Sequence, residues 1–185
     1  MSDTGKELLL SSLTSFYSKN ENYKYMLKSI IDGKHILSLR MIDWLVTRYA
    51  KNNNIIYWIS DNSDEIFYSL PETYNNDKFK KINLYLDYRA QLKSFKKLNF
   101  DSFRRHDRIT FILDLDKKIS IETTIGQLNF FKWAFSNKII DYATQNEHII
   151  YENMSKNSYK KQIKNKNSLI PKQDIVNTKC YVSFD

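Results

Sequence analysis

Apolar residues along this chain recur at two periods, and the changes between them divide it into elements. From Lys6 to Tyr17, Leu8, Leu9, Leu13 and Phe16 fall at near-helical spacing, which predicts a first helix. Asn20-Glu21-Asn22 interrupts it, and a second short helix over Tyr23 to Ile31 is expected to stop at Gly33, because glycine reaches the left-handed conformation that closes a helix. In "SLRMIDWLVTRYAKNNN" (38–54), Ser38 is placed to cap a helix whose apolar stripe is Leu39, Ile42, Leu45, Val46 and Tyr49. "IIYWI" (55–59) is β-branched and aromatic and reads as a buried strand. Residues 60 to 81 are polar, contain Pro71, and read as a loop with one helical turn. Asn83 to Lys97 returns to the helical period, with Leu84, Tyr88, Leu92 and Phe95 on one face.

The period then shortens to two. In "RITFILDLDKKISIETT" (108–124), Ile109, Phe111 and Leu113 alternate on one arm and Ile119 and Ile121 on the other, which predicts a hairpin turning at Asp114 to Lys118. Thr124 and Gln127 have capping-box spacing, so a helix is expected to start there. That helix, "GQLNFFKWAFSN", is apolar on most of its circumference and is expected at the centre of the core. A last helix is predicted from Lys138 to Met154. The sum is a helix-rich α+β single domain with a small antiparallel sheet that includes a hairpin near 108–123.

Composition sharpens this picture in three ways. With 13 Tyr and 11 Phe, the chain has the large rings a dense interior needs. With 3 Gly, no glycine-rich phosphate loop or nucleophile elbow can be assembled from neighbouring residues. The single cysteine, Cys180, excludes an intramolecular disulfide and fits a reducing compartment. No secretory leader and no membrane span is expected.

Charge is uneven. The net charge is +8, and residues 156–185 hold seven Lys against two Asp, or +5, leaving +3 for 1–155. A globular domain over 1–155 followed by a mobile basic tail over 156–185 is therefore the expected organisation, with "KCYVSFD" apolar enough to dock on a partner.

The densest chemistry lies in "FDSFRRHDRITF" (100–111). Arg104, Arg105 and Arg108 stand where a helix gives way to a strand, and guanidinium forks match phosphate oxygens. The outer edge of the preceding helix adds Arg89, Lys93, Lys96 and Lys97, so these seven side chains make a candidate phosphate-binding surface. The competing expectation is that Asp101 and Asp107 absorb the arginines in ordinary salt bridges. His106 lacks a positioned partner beyond Asp107 and is not expected to act as an acid or base. Asp114 and Asp116 have a spacing that holds magnesium in some sites, and with Glu122 they would be the least implausible nuclease set. Ordinary hairpin-turn chemistry explains the two aspartates better. His35, His106 and His148 lie too far apart for a zinc motif, and no metal or cofactor is expected. Trp44, Trp58 and Trp133 fall on apolar segments and are expected in the core.

Three blocks carry a resemblance: "HILSLRMIDWLVTRYAKNNNI", "YRAQLKSFKKLNFDSFRRHDRITF" and "TTIGQLNFFKWAFSNKIIDY". Together, over roughly residues 35 to 145, the chain resembles an uncharacterised protein family of the nucleocytoplasmic large DNA viruses, the giant viruses. That family has no activity to transfer, so no functional residue carries over. The resemblance implies a setting in a viral factory of the host cytoplasm, or in a virion. The expectation is a non-enzymatic basic protein that associates with DNA or RNA without sequence preference, as an accessory to transcription or genome packaging. The alternative is a minor structural protein of the virion that touches other viral proteins through the aromatic helix and "KCYVSFD".

Overall fold

The computed structural model describes residues 3–60, 63–69, 78–114, 116 and 118–168. It begins with α1 (Asp3–Lys19) and α2 (Glu21–Ile31), separated by Asn20 alone. Gly33 closes α2 as its position predicts. At φ +69° it lets its own N–H reach Ile30 O at 3.2 Å and the Lys34 N–H reach Ser29 O at 2.8 Å, the two bonds of a Schellman motif.

Ser38 caps the next helix, its hydroxyl accepting from the Met41 N–H at 3.1 Å. The helix is not uniform. α3 (Leu39–Trp44) widens into a π turn (Leu45–Tyr49), in which the Ala50 N–H donates to Leu45 O five residues back, before α4 (Ala50–Asn53) resumes the ordinary ladder. Thr47 Oγ1 donates to the Asp43 carbonyl at 2.7 Å, so a side chain competes for a backbone acceptor where the turn loosens. Asn54, at φ 46°, ends α4 in the left-handed region.

The predicted strand is β1 (Ile56–Ser60), with Tyr57 and Ile59 facing the core. It is the middle of three. β2 (Ser63–Phe67) and β3 (Phe79–Asn83) pair with it antiparallel on either side, in a stretch that the sequence presents as a loop. Both are edge strands. In β3, Ile82 is buried while Lys80 and Lys81 remain exposed, so the strand carries too little apolar alternation to be read as one. Pro71 lies outside the described residues.

β3 leads directly into α5 (Leu84–Phe95), and here the reciprocal cap is complete. Asn83 Oδ1 accepts from the Leu86 N–H at 3.2 Å while the Asp87 carboxylate accepts from the Asn83 N–H at 3.0 Å. After a 3-10 turn (Lys97–Asn99) comes the predicted hairpin, β4 (Arg108–Asp114) and β5 (Ile119–Thr124), with a bulge between Ile112 and Asp114. Thr124 then caps α6 (Ile125–Ser136), accepting from the Gln127 N–H at 3.1 Å. The expected return bond does not form, because the Gln127 side chain is engaged elsewhere. The helix predicted over 138–154 is two helices, α7 (Ile139–Gln145) and α8 (Glu147–Ser168). Asn146 separates them, its N–H and its side-chain amide both donating to Tyr142 O. The boundary expected at 155 falls inside α8, so residues 156–168 are helical. Residues 169–185, with Cys180 and "KCYVSFD", lie outside the described residues.

α6 is the centre of the core, as its all-round apolar surface predicts. Leu128, Phe130, Phe131, Ala134 and Phe135 are almost completely buried. Phe100 meets Phe130 and Trp133 at centroid distances of 5.4 Å each, and Tyr23 stacks on Phe135 at 4.6 Å. Two tyrosines tie outlying elements to this helix region: Tyr17 Oη donates to Leu128 O at 2.9 Å, and Tyr57 Oη to Asn137 O at 2.7 Å. Of the tryptophans, Trp133 is buried, whereas Trp44 and Trp58 are only half-buried. Among the described residues no helix is long and apolar enough to cross a membrane.

Candidate functional site

The arginine motif occupies the loop between α5 and β4, and the loop is fastened from its own backbone outward. Phe100 is fully buried in the aromatic cluster. The Asp101 N–H donates to Gly126 O at 3.2 Å, and Asp101 Oδ1 accepts from the Phe103 N–H at 2.8 Å. Gln127 Nε2 donates to Ser102 O at 2.9 Å, while its Oε1 accepts from Thr123 Oγ1 at 3.1 Å. This is why Gln127 completes no capping box: its amide bridges the hairpin to the arginine loop. Asn129 Nδ2 adds a bond to Asn99 O at 2.8 Å. A loop held at this many points by one buried helix presents its side chains from a fixed base.

Of the two aspartates expected to neutralise the arginines, one does. Arg104 pairs with Asp107, which adopts φ 58° to reach it. Asp101 is engaged by the Phe103 backbone instead. Arg105 and Arg108 are exposed and make no ion pair among the described residues. Arg89, Lys93, Lys96 and Lys97 are also exposed. The seven side chains do not form one strip. Lys96, Arg104 and Arg108 border a cleft of about 510 Å³, whose floor is Phe95, Leu98, Ile109 and Ile125. Gly126 lets α6 approach this cleft closely: a Cβ there would stand 3.1 Å from Leu98 O and 3.3 Å from Arg104 Cδ. Lys6 of α1 joins the rim, a residue that sequence spacing could not connect to the motif. Arg89 and Lys93 line a separate shallow recess on α5. Lys97 lies on the side facing Asp43, where its charge favours the ionised carboxylate.

Asp43 belongs to a second cationic cleft that sequence reasoning missed. Arg40, Arg48 and Lys51 line it, together with Trp44 and Tyr85. Burial raises the Asp43 carboxyl above the ordinary aspartate value, against the opposing pull of a hydrogen bond from Ser102 Oγ at 3.2 Å and the charges of Lys97 and Arg48. Nearby, burial with the added charge of Asp43 and Asp101 pushes the Tyr88 phenol up to about 12. A signal for this cleft was present in the helix 38–54, whose polar face repeats Arg40, Trp44, Thr47 and Lys51 at three- and four-residue steps.

The other candidate groups are dispersed. His106 is exposed in the bend before β4. Asp114 sits beside the bulge and Asp116 in the turn, while Glu122 accepts from Thr110 Oγ1 at 2.6 Å across the hairpin. Among the described residues no group of three His, Cys, Asp or Glu side chains is placed to hold a metal ion. α6, a possible assembly surface by sequence, is enclosed by the core.

A model of the family described as "Family of unknown function (DUF7197)" matches residues 2–180. A curated relative, "Uncharacterized protein L507" of Acanthamoeba polyphaga mimivirus, is 34% identical over 169 residues, which cover 89% of this chain and 60% of the relative. The chain thus spans about 60% of that relative's length. No solved structure matches.

Proposed function

The chain belongs to the family of unknown function DUF7197 and has a giant-virus relative, and from that premise we propose that it is a non-enzymatic viral protein that associates with nucleic acid. The contact surface is the rim of the cleft at the α5–β4 junction, with Lys96, Arg104 and Arg108, together with Arg105 of the adjoining loop; Arg89 and Lys93 add a separate recess on α5. The single observation that carries this reading is the exposure, without carboxylate partners among the described residues, of Arg105 on a loop pinned to α6 and of Arg108 where that loop enters β4. Guanidinium groups held in this way match phosphate oxygens, and contacts confined to the phosphates carry no sequence information, so on this reading binding is sequence-independent and salt-sensitive. The polyanion is DNA or RNA in the host cytoplasm or the virion, in a role accessory to transcription or packaging.

The test is the affinity of the full chain for a labelled duplex and a labelled single strand between low and physiological salt. Retention that falls steeply with salt is expected. The triple variant Lys96→Gln, Arg105→Gln, Arg108→Gln should reduce the slope by up to about three, at roughly 0.9 per lost duplex phosphate contact. Absence of salt-dependent binding, or a slope unchanged in the variant, would overturn the proposal.

A further inference from the structure

A cleft of about 860 Å³, larger than the one of about 510 Å³ beside the arginine loop, lies elsewhere on the molecule. One wall is the stripe of Arg40, Trp44, Thr47 and Lys51 with Arg48 beside it, and the other is Tyr85 of α5 with Met154, Asn157 and Ser158 of α8. Its volume falls within the range of small-molecule sites. Arg40, Arg48 and Lys51 make no ion pair among the described residues, and Asp43 is the one carboxylate on the lining. Trp44 and Tyr85 are half-buried, so each ring retains some exposure at the wall, and Lys51 Nζ lies 6.0 Å from the Tyr85 centroid.

These features select a ligand. A bare phosphate needs cations but no rings, and an apolar ligand needs rings but no cations. Three cations outside any ion pair among the described residues, against one carboxylate, with two half-buried aromatic side chains and the amides of Asn52 and Asn157, suit a molecule that joins a phosphate to a planar heterocycle. The π turn at Leu45–Tyr49 lies within this wall, and such turns occur frequently at functional sites. We propose that the cleft between α3–α4 and α8 binds a nucleotide, its phosphates on Arg40, Arg48 and Lys51 and its base against Trp44 and Tyr85. Asp43 can accept a hydrogen bond from the base or sugar. The same chemistry is offered by a free nucleotide and by an unpaired nucleotide of a strand. The proposal does not rest on the phosphate surface of the arginine loop, which uses different side chains.

Isothermal titration of the full chain with ADP, adenosine, pyrophosphate and an eight-residue oligo(dA) tests it. ADP should bind roughly tenfold or more tightly than either adenosine or pyrophosphate, since each supplies half of the recognition. Arg48→Gln combined with Lys51→Gln alters only exposed side chains and should weaken ADP binding by roughly tenfold or more, whereas Arg105→Gln with Arg108→Gln should leave it unchanged. Trp44→Leu, checked for native circular dichroism, should weaken ADP more than pyrophosphate. If oligo(dA) displaces ADP, the source is a strand, and if it does not, the source is a free nucleotide. ADP binding no tighter than pyrophosphate, or indifferent to the Arg48 and Lys51 substitutions, would overturn the proposal.

Discussion

Asp43 lies near two cations and is nonetheless harder to ionise than a free aspartate, because burial outweighs the pull of Lys97, Arg48 and the Ser102 hydroxyl. The folded state therefore holds the Asp43 proton more tightly than the unfolded chain, whose carboxyl titrates near about 3.9. As pH rises through the unfolded value toward the raised folded one, this group removes stability, and above that window the full penalty is in place. Asp43→Asn abolishes the titration and keeps an oxygen for Ser102 Oγ. Its melting temperature relative to wild type should be more favourable at about pH 7 than at about pH 3.5, as thermal unfolding at the two values will show. Individual residues were unevenly legible. Ser38, Gly33 and Thr124 act through local backbone geometry, and each caps or closes a helix as its position predicts. Gln127 was read only in part, because its side chain answers to Ser102, 25 residues away in sequence. Lys6 was missed for the same reason: α1 brings it to the arginine cleft through tertiary packing.

At the scale of elements, two glycines limit substitution by opposite means. Gly33 stands in open space with φ +69°, so Gly33→Ala meets no atom but forces an L-residue into the left-handed region, at a cost of about 1–2 kcal/mol. Gly126 has no such backbone demand, yet an added Cβ would press on the Leu98 carbonyl at 3.1 Å. That contact is backbone and cannot swing away, so Gly126→Ala should cost about 1–3 kcal/mol despite favourable helix propensity. Denaturant unfolding of the two variants checks both values. Only Gly126→Ala should also weaken salt-dependent nucleic-acid binding, because it displaces Arg104. Elements with a complete apolar pattern, such as α1, the β4–β5 hairpin and α6, were readable. β2 and β3 were not, since an edge strand shows the core too few side chains to set a period. The π turn and the break at Asn146 also escaped, because both depend on which donor wins a contested carbonyl rather than on hydrophobic spacing.

At the scale of the molecule, α6 makes one cooperative unit of the parts. α1 reaches it through Tyr17, the three-stranded sheet reaches its end through Tyr57 and Lys80 at Asn137, and the arginine loop through Gln127. Far-UV dichroism and tryptophan fluorescence should therefore report a single, coincident thermal transition, and two separated transitions would show that the sheet unfolds apart from the helices. The helix-rich α+β class followed from the sequence because the order of periods survives packing. The separation of the basic residues into different clefts did not, because helix rotation and loop path decide which cations share a surface.

The lysines of β3 have a consequence for self-association. Lys80 Nζ is held by Asn137 Oδ1 at 2.8 Å, and Lys81 Nζ sits 5.9 Å from the centroid of the Trp58 ring. A strand from a second copy that tried to add itself alongside β3 would have to detach one ammonium group and bring like charges into opposition. That flank of the sheet is thereby guarded against fibre growth by two lysines, Lys80 tied inward to Asn137 and Lys81 set beside Trp58 on the outer face.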